Sequence, residues 1–364
     1  MTGSHFTDGL FLTGTEWQAM RCTHTDVVHI LDPAEPADSW PRFIPAPVDL
    51  HVHGAGGYDV MHGEQALRAV LRTQARQGCG ALLATSVAAP LQVIDDFLAS
   101  VQTVMNTPDE GSAALLGAHL EGPFINPDKL GAQPPHACAL DTAVLERWLK
   151  TGVVRVITFA PEMDVESIVP RMCARYGVRA QIGHTLCSGW QAHAALELGC
   201  GVTHLWNAMS GATHREGGAA VAAFAEAEYA EIIPDGIHVD ELAFRAAWRA
   251  IPKLYAVTDG TAAVGMPDGA YWLGSHEVQK RGHRVELSDG TLAGSCLDQI
   301  RLCTVLRDWQ LSWPEVSRMH SGFPAAWIDE PTLGSIHVGM RAHWLELDQE
   351  RPCALWLDGQ RQAL

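Results

Sequence analysis

His51 and His53 stand in the run Val48-Asp49-Leu50-His51-Val52-His53, which Gly54-Ala55-Gly56-Gly57 ends. In a β-strand, residues i and i+2 point to the same face. The two imidazoles therefore lie side by side at a strand end, a geometry that suits two ligands on one metal ion. Alone, a His-x-His pair is as readily two solvated histidines on a surface strand. Further donors shift that balance: Glu121 in His119-Leu120-Glu121-Gly122-Pro123, His184 in Gly183-His184-Thr185, His204 in Thr203-His204-Leu205-Trp206-Asn207, and Asp259 in Thr258-Asp259-Gly260. Each follows an apolar, β-favouring run.

Together His51, His53, Glu121, His184, His204 and Asp259 are donors for one or two divalent ions. Glu121 could bridge two ions, with His51 and His53 on one and His184 and His204 on the other. Such an ion brings the pKa of its water from ~15.7 to about 7 and polarises a carbonyl. Asp259, beside it, would take the water's proton and pass it to a leaving amine. His119 shares a face with Glu121 and reads as a packing or supporting residue.

The elements that must position these residues follow a repeat. A helical segment ends in glycine and an apolar strand follows: 64–77, Gly78, 81–87; 145–151, Gly152, 153–159; 168–176, Gly177, 178–182; 191–198, Gly199, 202–205. Glycine after a helix fits the left-handed C′ position. Eight strands are expected at 48–53, 81–87, 115–121, 153–160, 178–184, 201–206, 229–238 and 254–259. Eight alternating units over roughly 250 residues predict a (β/α)8 barrel, whose active site lies at the C-terminal strand ends. A doubly wound open sheet is the alternative, but no Gly-x-Gly-x-x-Gly turn follows the first strand. Residues 1–46 read as short, uneven strand-like pieces, with prolines 33, 36, 41, 45 and 47 marking a linker. Residues 334–364 again read as short strands. The expected division is a small β domain from 1–46 and 334–364 around a 47–333 barrel.

Composition narrows the partners. The chain has 364 residues, 47% hydrophobic, with a formal charge of −17. That content supports a sizeable core, and the charge argues against nucleic acid and membrane surfaces. A small anion needs only a local positive pocket. Nine scattered cysteines without Cys-x-x-Cys fit a reduced cytoplasmic protein. Met1 to Leu10 is polar and mixed, with no apolar signal core, and no run of 18 apolar residues occurs. His5, His24 and His29 match no metal spacing and read as surface positions. Cys187 and Cys200 read as buried small hydrophobes.

As an ordered set, His-Leu-Glu-Gly-Pro-Phe (119–124), Gly-His-Thr (183–185), Thr-His-Leu-Trp-Asn-Ala-Met (203–209), Asp-Gly-Ile-His-Val-Asp (235–240), Val-Thr-Asp-Gly (257–260) and Leu-Ala-Gly-Ser (292–295) resemble the N-acetylglucosamine-6-phosphate deacetylases of the amidohydrolase superfamily. The resemblance runs from about residue 44 to 340. It implies a metal-dependent (β/α)8 barrel with a small β domain, a homodimer, and hydrolysis of the acetamide of N-acetylglucosamine 6-phosphate. By the same resemblance Glu121, His184 and His204 match the common metal ligands, and His51 and His53 the extra pair of members able to hold a second ion. Asp259 matches the acid/base. Asn207, Ala208, Arg215 and His238 match sugar-phosphate contacts, and Ala132 with Leu292, Ala293 and Gly294 match further substrate contacts. The implied metal is zinc, with iron, manganese, cobalt and nickel as alternatives.

The chain departs from the pattern in places. Gln133 stands where histidine is common, which removes one expected sugar contact. Glu216-Gly217-Gly218 replaces Glu-Pro-Gly, loosening the loop after Arg215. Arg341-Ala342-His343-Trp344 replaces Ala-Asp-Leu, so a trimmed or distorted β domain is expected. Two other readings remain: an amidohydrolase for a related substrate, such as N-acetylgalactosamine 6-phosphate or a cyclic amide, and a non-catalytic sugar-phosphate-binding protein. The second has no need of Asp259.

Overall fold

The computed structural model describes residues 4–37 and 39–364. Its central sheet has eight strands, hydrogen-bonded in chain order and parallel throughout. They are Val48–Val52, Ala81–Ser86, Ala114–Glu121, Val154–Phe159, Arg179–Ile182, Gly201–Val202, Tyr229–Ile232 and Lys253–Ala256. The first two are buried at every residue, as strands covered on both faces must be, and hence read as continuous apolar runs. Closure comes from a parallel bridge between Val52 and Gly260. Inside that seam the Asp49 carboxylate accepts from the Thr258 hydroxyl at 2.6 Å and from Gln299 Nε2 at 2.9 Å. The ring is a (β/α)8-type barrel.

The helices between strands carry their own punctuation. Glu64–Arg76 and Ile168–Arg175 are followed by Gly78 and Gly177 at φ of 86° and 67°, the left-handed turn glycine makes without a Cβ clash. Gly189–Glu197 starts with a capping box between Ser188 and Gln191. The sixth and seventh strands are shorter than the expected 201–206 and 229–238. The sixth ends early because His204, Trp206 and Ala208 take positive φ, which a strand cannot hold.

A second, seven-stranded sheet joins the two ends of the chain. Its order is Gln360–Ala363, Arg351–Leu357, Trp344–Asp348, Arg42–Pro45, His5–Thr13, Glu16–His24, Val28–Pro33. Two expectations are corrected here. The pieces before residue 46 include two nine-residue strands, His5–Thr13 and Glu16–His24, paired along their whole length. The supposed proline linker contains the strand Arg42–Pro45, which pairs with Trp344–Asp348; its prolines flank or end the strand, where a missing N–H is tolerated. Phe11, Phe43 and Trp344 pack inside this sheet at ring distances of 4.7 to 5.9 Å.

His24 is also corrected. It is fully buried, edge-on to Trp344 and Trp356, because its strand places it on the inner face; His5 and His29 are exposed as expected. Arg341 and His343 share Asp358, so the departure at 341–344 builds an ion-paired corner. A three-stranded antiparallel sheet, Gly269–Leu273, His276–Arg281 and Arg284–Glu286, follows the eighth barrel strand and was not expected. All nine cysteines are free. Cys187 and Cys200 are buried, and burial pushes the Cys187 thiol up to about 11.

Candidate metal centre

The six donors meet at the C-terminal end of the barrel. His51 is the last residue but one of the first strand and His53 follows its end, with their Nε2 atoms 3.1 Å apart. Glu121 ends the third strand. His184, His204 and Asp259 follow the fifth, sixth and eighth strands, at φ of 47°, 28° and 50°. A non-glycine residue in that region is uncommon, and such strain persists where the surroundings over-determine it. The Glu162 carboxylate does part of this. It accepts from Leu186 N at 2.6 Å and Asn126 Nδ2 at 2.7 Å, and also from Thr185 Oγ1, bracing the loop that carries His184.

Two donor groups share Glu121. In one, Glu121 Oε1 lies 3.0 Å from His184 Nε2 and 2.9 Å from His204 Nε2, which are 3.1 Å from each other. In the other, Asp259 Oδ1 lies 3.4 Å from His51 Nε2 and 3.1 Å from His53 Nε2. Glu121 completes that group, with Oε1 3.5 Å from His51 and Oε2 3.4 Å from His53. Donors about 2.0–2.2 Å from one tetrahedral ion sit roughly 3.3–3.6 Å apart. The spacing of both groups approaches that value.

The hydrogen bonds of the far ring nitrogens sharpen the fit. His53 Nδ1 faces the Thr85 carbonyl at 3.0 Å, and His184 Nδ1 the Lys129 carbonyl at 3.1 Å. A carbonyl only accepts, so each Nδ1 donates to it and each Nε2 is the nitrogen turned inward toward the cluster. His51 Nδ1 faces the Glu231 carboxylate at 2.9 Å in the same way. His204 Nδ1 is buried without a partner. Nitrogen lone pairs 3.1 Å apart repel unless positive charge lies among them. The electrostatics agree. Burial disfavours a charged His51, yet the Glu121, Asp259 and Glu231 carboxylates hold its pKa well above the ordinary value. Burial likewise opposes a charged His53, but Asp259 and Glu121 raise it to about 9. Burial works to raise Glu121, and the facing histidines hold it well below the usual carboxylate range. This cluster is able to hold a cation, and its N/O donor set fits a divalent ion.

A cavity of about 540 Å³ opens above the cluster. His53, Glu121, His184, His204 and Asp259 form its floor, with His51 fully buried beneath. Of the expected substrate contacts, Ala132, Asn207, Ala208, His238, Leu292 and Gly294 line the cavity, while Ala293 is buried behind it. His238 Nδ1 is held by Asp235 Oδ2 at 2.8 Å; burial opposes its charge, and that contact raises its pKa. Gly294 has φ 53°, and a Cβ there would come within 2.8 Å of the Asp259 carbonyl, so only glycine lets this turn approach Asp259. Arg215 is not brought to the cavity. It is exposed on the rim of a separate depression of about 950 Å³ that includes Leu186 and Trp190. Gln133 does line the cavity: its Oε1 accepts from Ala88 N at 2.6 Å, and its Nε2 donates to Glu121 Oε2.

The sequence reading missed Asp49 and Glu231, both fully buried inside the barrel. Asp49 had a signal, since it precedes His51 by two residues and shares its face. Glu231 is a single charge in the apolar run 229–233, and its alignment with His51 depends on the register between distant strands. His119 lies beneath the site, bonded to the Leu50 carbonyl at 3.1 Å and to Thr158 Oγ1 at 2.8 Å.

No family model matches the chain. Among curated proteins it is 33% identical over 326 residues to N-acetylgalactosamine-6-phosphate deacetylase of Escherichia coli O157:H7, covering 87% of this chain and 86% of that protein. It is 34% identical over 320 residues to N-acetylglucosamine-6-phosphate deacetylase of Bacillus subtilis (strain 168), covering 84% and 80%. Among solved structures, a mutant form of the N-acetyl-D-glucosamine-6-phosphate deacetylase of Mycobacterium smegmatis, in complex with N-acetyl-D-glucosamine-6-phosphate, superposes with a TM-score of 0.91 at 26% identity, covering 99% of each chain. The Pasteurella multocida enzyme of the same name gives 0.92 at 23% identity over the full length of both chains, a likeness of fold. With sequence, fold and donor cluster in agreement, the chain belongs to the N-acetylglucosamine-6-phosphate deacetylase family of the amidohydrolases.

Proposed function

We propose that the protein hydrolyses the acetamide of N-acetylglucosamine 6-phosphate to glucosamine 6-phosphate and acetate, as a step in amino-sugar breakdown. The observation that carries this reading is the convergence of Glu121 Oε1 with His184 Nε2 and His204 Nε2 within 3.1 Å of one another, with Asp259 beside them on the cavity floor. These three residues would hold one divalent ion, and His51, His53 and Asp259 with Glu121 a second; zinc is our first choice. When bound, such an ion polarises the acetyl carbonyl and makes water a better nucleophile at neutral pH.

The chain's own residues do the rest. Asp259 Oδ1 faces His51 and His53 and reaches the cavity. The facing histidines overcome the effect of burial and hold it below the ordinary carboxylate value, so it begins as a base. It takes a proton from the attacking water. It then delivers that proton to the sugar nitrogen as the C–N bond breaks, leaving acetate and a free amine. Asn207, Ala208 and His238 are placed to bind the sugar phosphate, with Ala132 and the 292–294 turn around the sugar. Arg215 lies outside its own chain's cavity, and the proposed homodimer would bring it to a neighbour's phosphate. The nine free cysteines and the −17 charge support a cytoplasmic enzyme with a small-molecule substrate and no nucleic-acid or membrane partner. Among the described residues no helix is long and apolar enough to cross a membrane.

A second reading, the galacto epimer, is favoured by the 33% identity to N-acetylgalactosamine-6-phosphate deacetylase and by Gln133 in the wall. Acetate release from both N-acetylhexosamine 6-phosphates and their unphosphorylated sugars, with and without added metal, tests the proposal. Metal-dependent release is expected, fastest from the gluco phosphate. Faster release from the galacto phosphate transfers the assignment to that epimer, and release from neither rejects both.

A further inference from the structure

Below the donor cluster, a line of buried hydrogen bonds runs through the barrel interior, and its direction can be read from one end. Trp327, in the short helix Phe323–Trp327, packs where the fifth and sixth strands begin. Its indole Nε1 lies 2.7 Å from Gln181 Oε1. An indole N–H donates and never accepts, so the Gln181 atom facing it must be the amide oxygen. Tyr255 OH donates to the same oxygen at 2.7 Å. The Gln181 NH2 group then faces Thr203 Oγ1 at 3.0 Å and Glu231 Oε1 at 2.9 Å. Glu231 Oε1 must accept. Its other oxygen, Oε2, accepts from His204 N at 3.2 Å and meets His51 Nδ1 at 2.9 Å.

We propose that Trp327, Gln181 and Glu231 form a hydrogen-bond relay whose polarity is set by the donor-only indole and which holds the proton of His51 on Nδ1, leaving Nε2 turned into the donor cluster. Glu231 and Gln181 are positioning residues: neither lines the cavity, and both act through His51. Glu231 also grips the backbone of His204, so one buried carboxylate braces a histidine in each donor group. In the wild type the Glu231 carboxylate, which only accepts, keeps the proton on Nδ1, and the indole fixes the orientation of the Gln181 amide that meets it; only the consequence for metal rests on the function proposed above.

The relay makes an unusual demand on variants. In Glu231→Gln, the new side-chain oxygen must face the Gln181 NH2 group. The new NH2 group then faces His51 Nδ1, which becomes an acceptor, and the His51 proton moves to Nε2, while the His204 N–H loses the acceptor it had in Oε2. Adding Gln181→Glu reverses this. A carboxylate at 181 accepts from Trp327 and Tyr255 and also from the amide at 231, whose oxygen turns back to His51. The double exchange should therefore restore what the single one breaks.

The test is nitrogen-15 NMR of chelator-treated, histidine-labelled protein, taken up in pH until the His51 ring holds a single proton, with the His51 signals assigned by their loss in His51→Gln. The expected result is a proton bonded to Nδ1 in the wild type, to Nε2 in Glu231→Gln, and to Nδ1 again in the double exchange. Zinc affinity at the His51/His53 position, read by chelator competition, should fall about 10–100-fold in the single variant and recover in the double. A wild-type proton on Nε2 overturns the relay whether or not the variants fold. So does a folded Glu231→Gln with the proton still on Nδ1, or a folded double exchange without recovery. Failure of the metal arm with the tautomers as expected would count against the metal role of His51 and leave the relay standing.

Discussion

The protein buries two kinds of histidine. In the seven-stranded sheet, His24 packs edge-on against Trp344 and Trp356 and bonds to Thr7 Oγ1 at 2.8 Å. Burial lowers its pKa. His320, below the barrel, meets the Cys303 thiol at 3.5 Å and has a buried Nε2 without a partner, and burial, against a smaller opposing effect of the Pro45 backbone, pushes it down to about 4. At the barrel's other end, His51 and His53 are as deeply buried, yet three carboxylates raise His51. Burial therefore does not mark a functional histidine. The mark is several ring nitrogens turned toward one another around a carboxylate, an arrangement that only positive charge makes tolerable.

Variants can break that distinction, and the largest effect belongs to the donors. His204→Ala should cut kcat/KM by roughly 10³-fold or more, about 4 kcal/mol, and lower the metal content measured by elemental analysis, while barely shifting the unfolding midpoint. Full metal occupancy with normal turnover would remove His204 from the donor set. Asp259→Asn comes next. The amide keeps the shape but cannot take a proton, so kcat should fall by about 10² or more while substrate binding, followed by calorimetry, persists. Arg215→Ala should cost about 2–3 kcal/mol in kcat/KM on the phosphorylated sugar and almost nothing on the unphosphorylated one. Equal losses on both would assign Arg215 to assembly.

The packing histidines should behave in the opposite way. His24→Ala should cost about 2 kcal/mol in stability, with metal content and kcat unchanged. His320 adds a pH test. Its native pKa, about 4, lies below the ~6.5 of an unfolded histidine. Between these values the unfolded chain binds a proton that the native one refuses, so stability is lost as pH falls from about 6.5 toward 4. Urea unfolding at pH 7 and pH 5 should differ by about 2 kcal/mol from this residue, and His320→Phe should shrink the difference by that amount. An unchanged difference would mean that His320 is not held neutral.

The same contrast explains what could be read before any coordinates. Runs such as 81–87 announced barrel strands because a strand covered on both faces needs apolar residues at every position. His51, His53, Glu121, His184, His204 and Asp259 were legible because each stands where an apolar run stops. The strands His5–Thr13 and Glu16–His24 were not, since partly exposed positions interrupt their alternation. The prolines that bracket Arg42–Pro45 concealed a strand defined only by distant partners. Glu231 stayed hidden for a related reason: its partner His51 is 180 residues away. Arg215 could be matched by its motif but not placed, because the 211–218 loop carries no periodicity that fixes where it runs.

The central claim is that the converging histidines hold an ion that deacetylation requires. The most direct measurement follows acetate release from N-acetylglucosamine 6-phosphate while zinc is titrated into chelator-treated protein, with bound metal counted at every point. Release should be near zero at the start and rise with occupancy to a plateau at one or two ions per chain; manganese, cobalt or iron replacing zinc would change the metal and keep the claim. Full turnover by protein holding less than about a tenth of an ion per chain would contradict it.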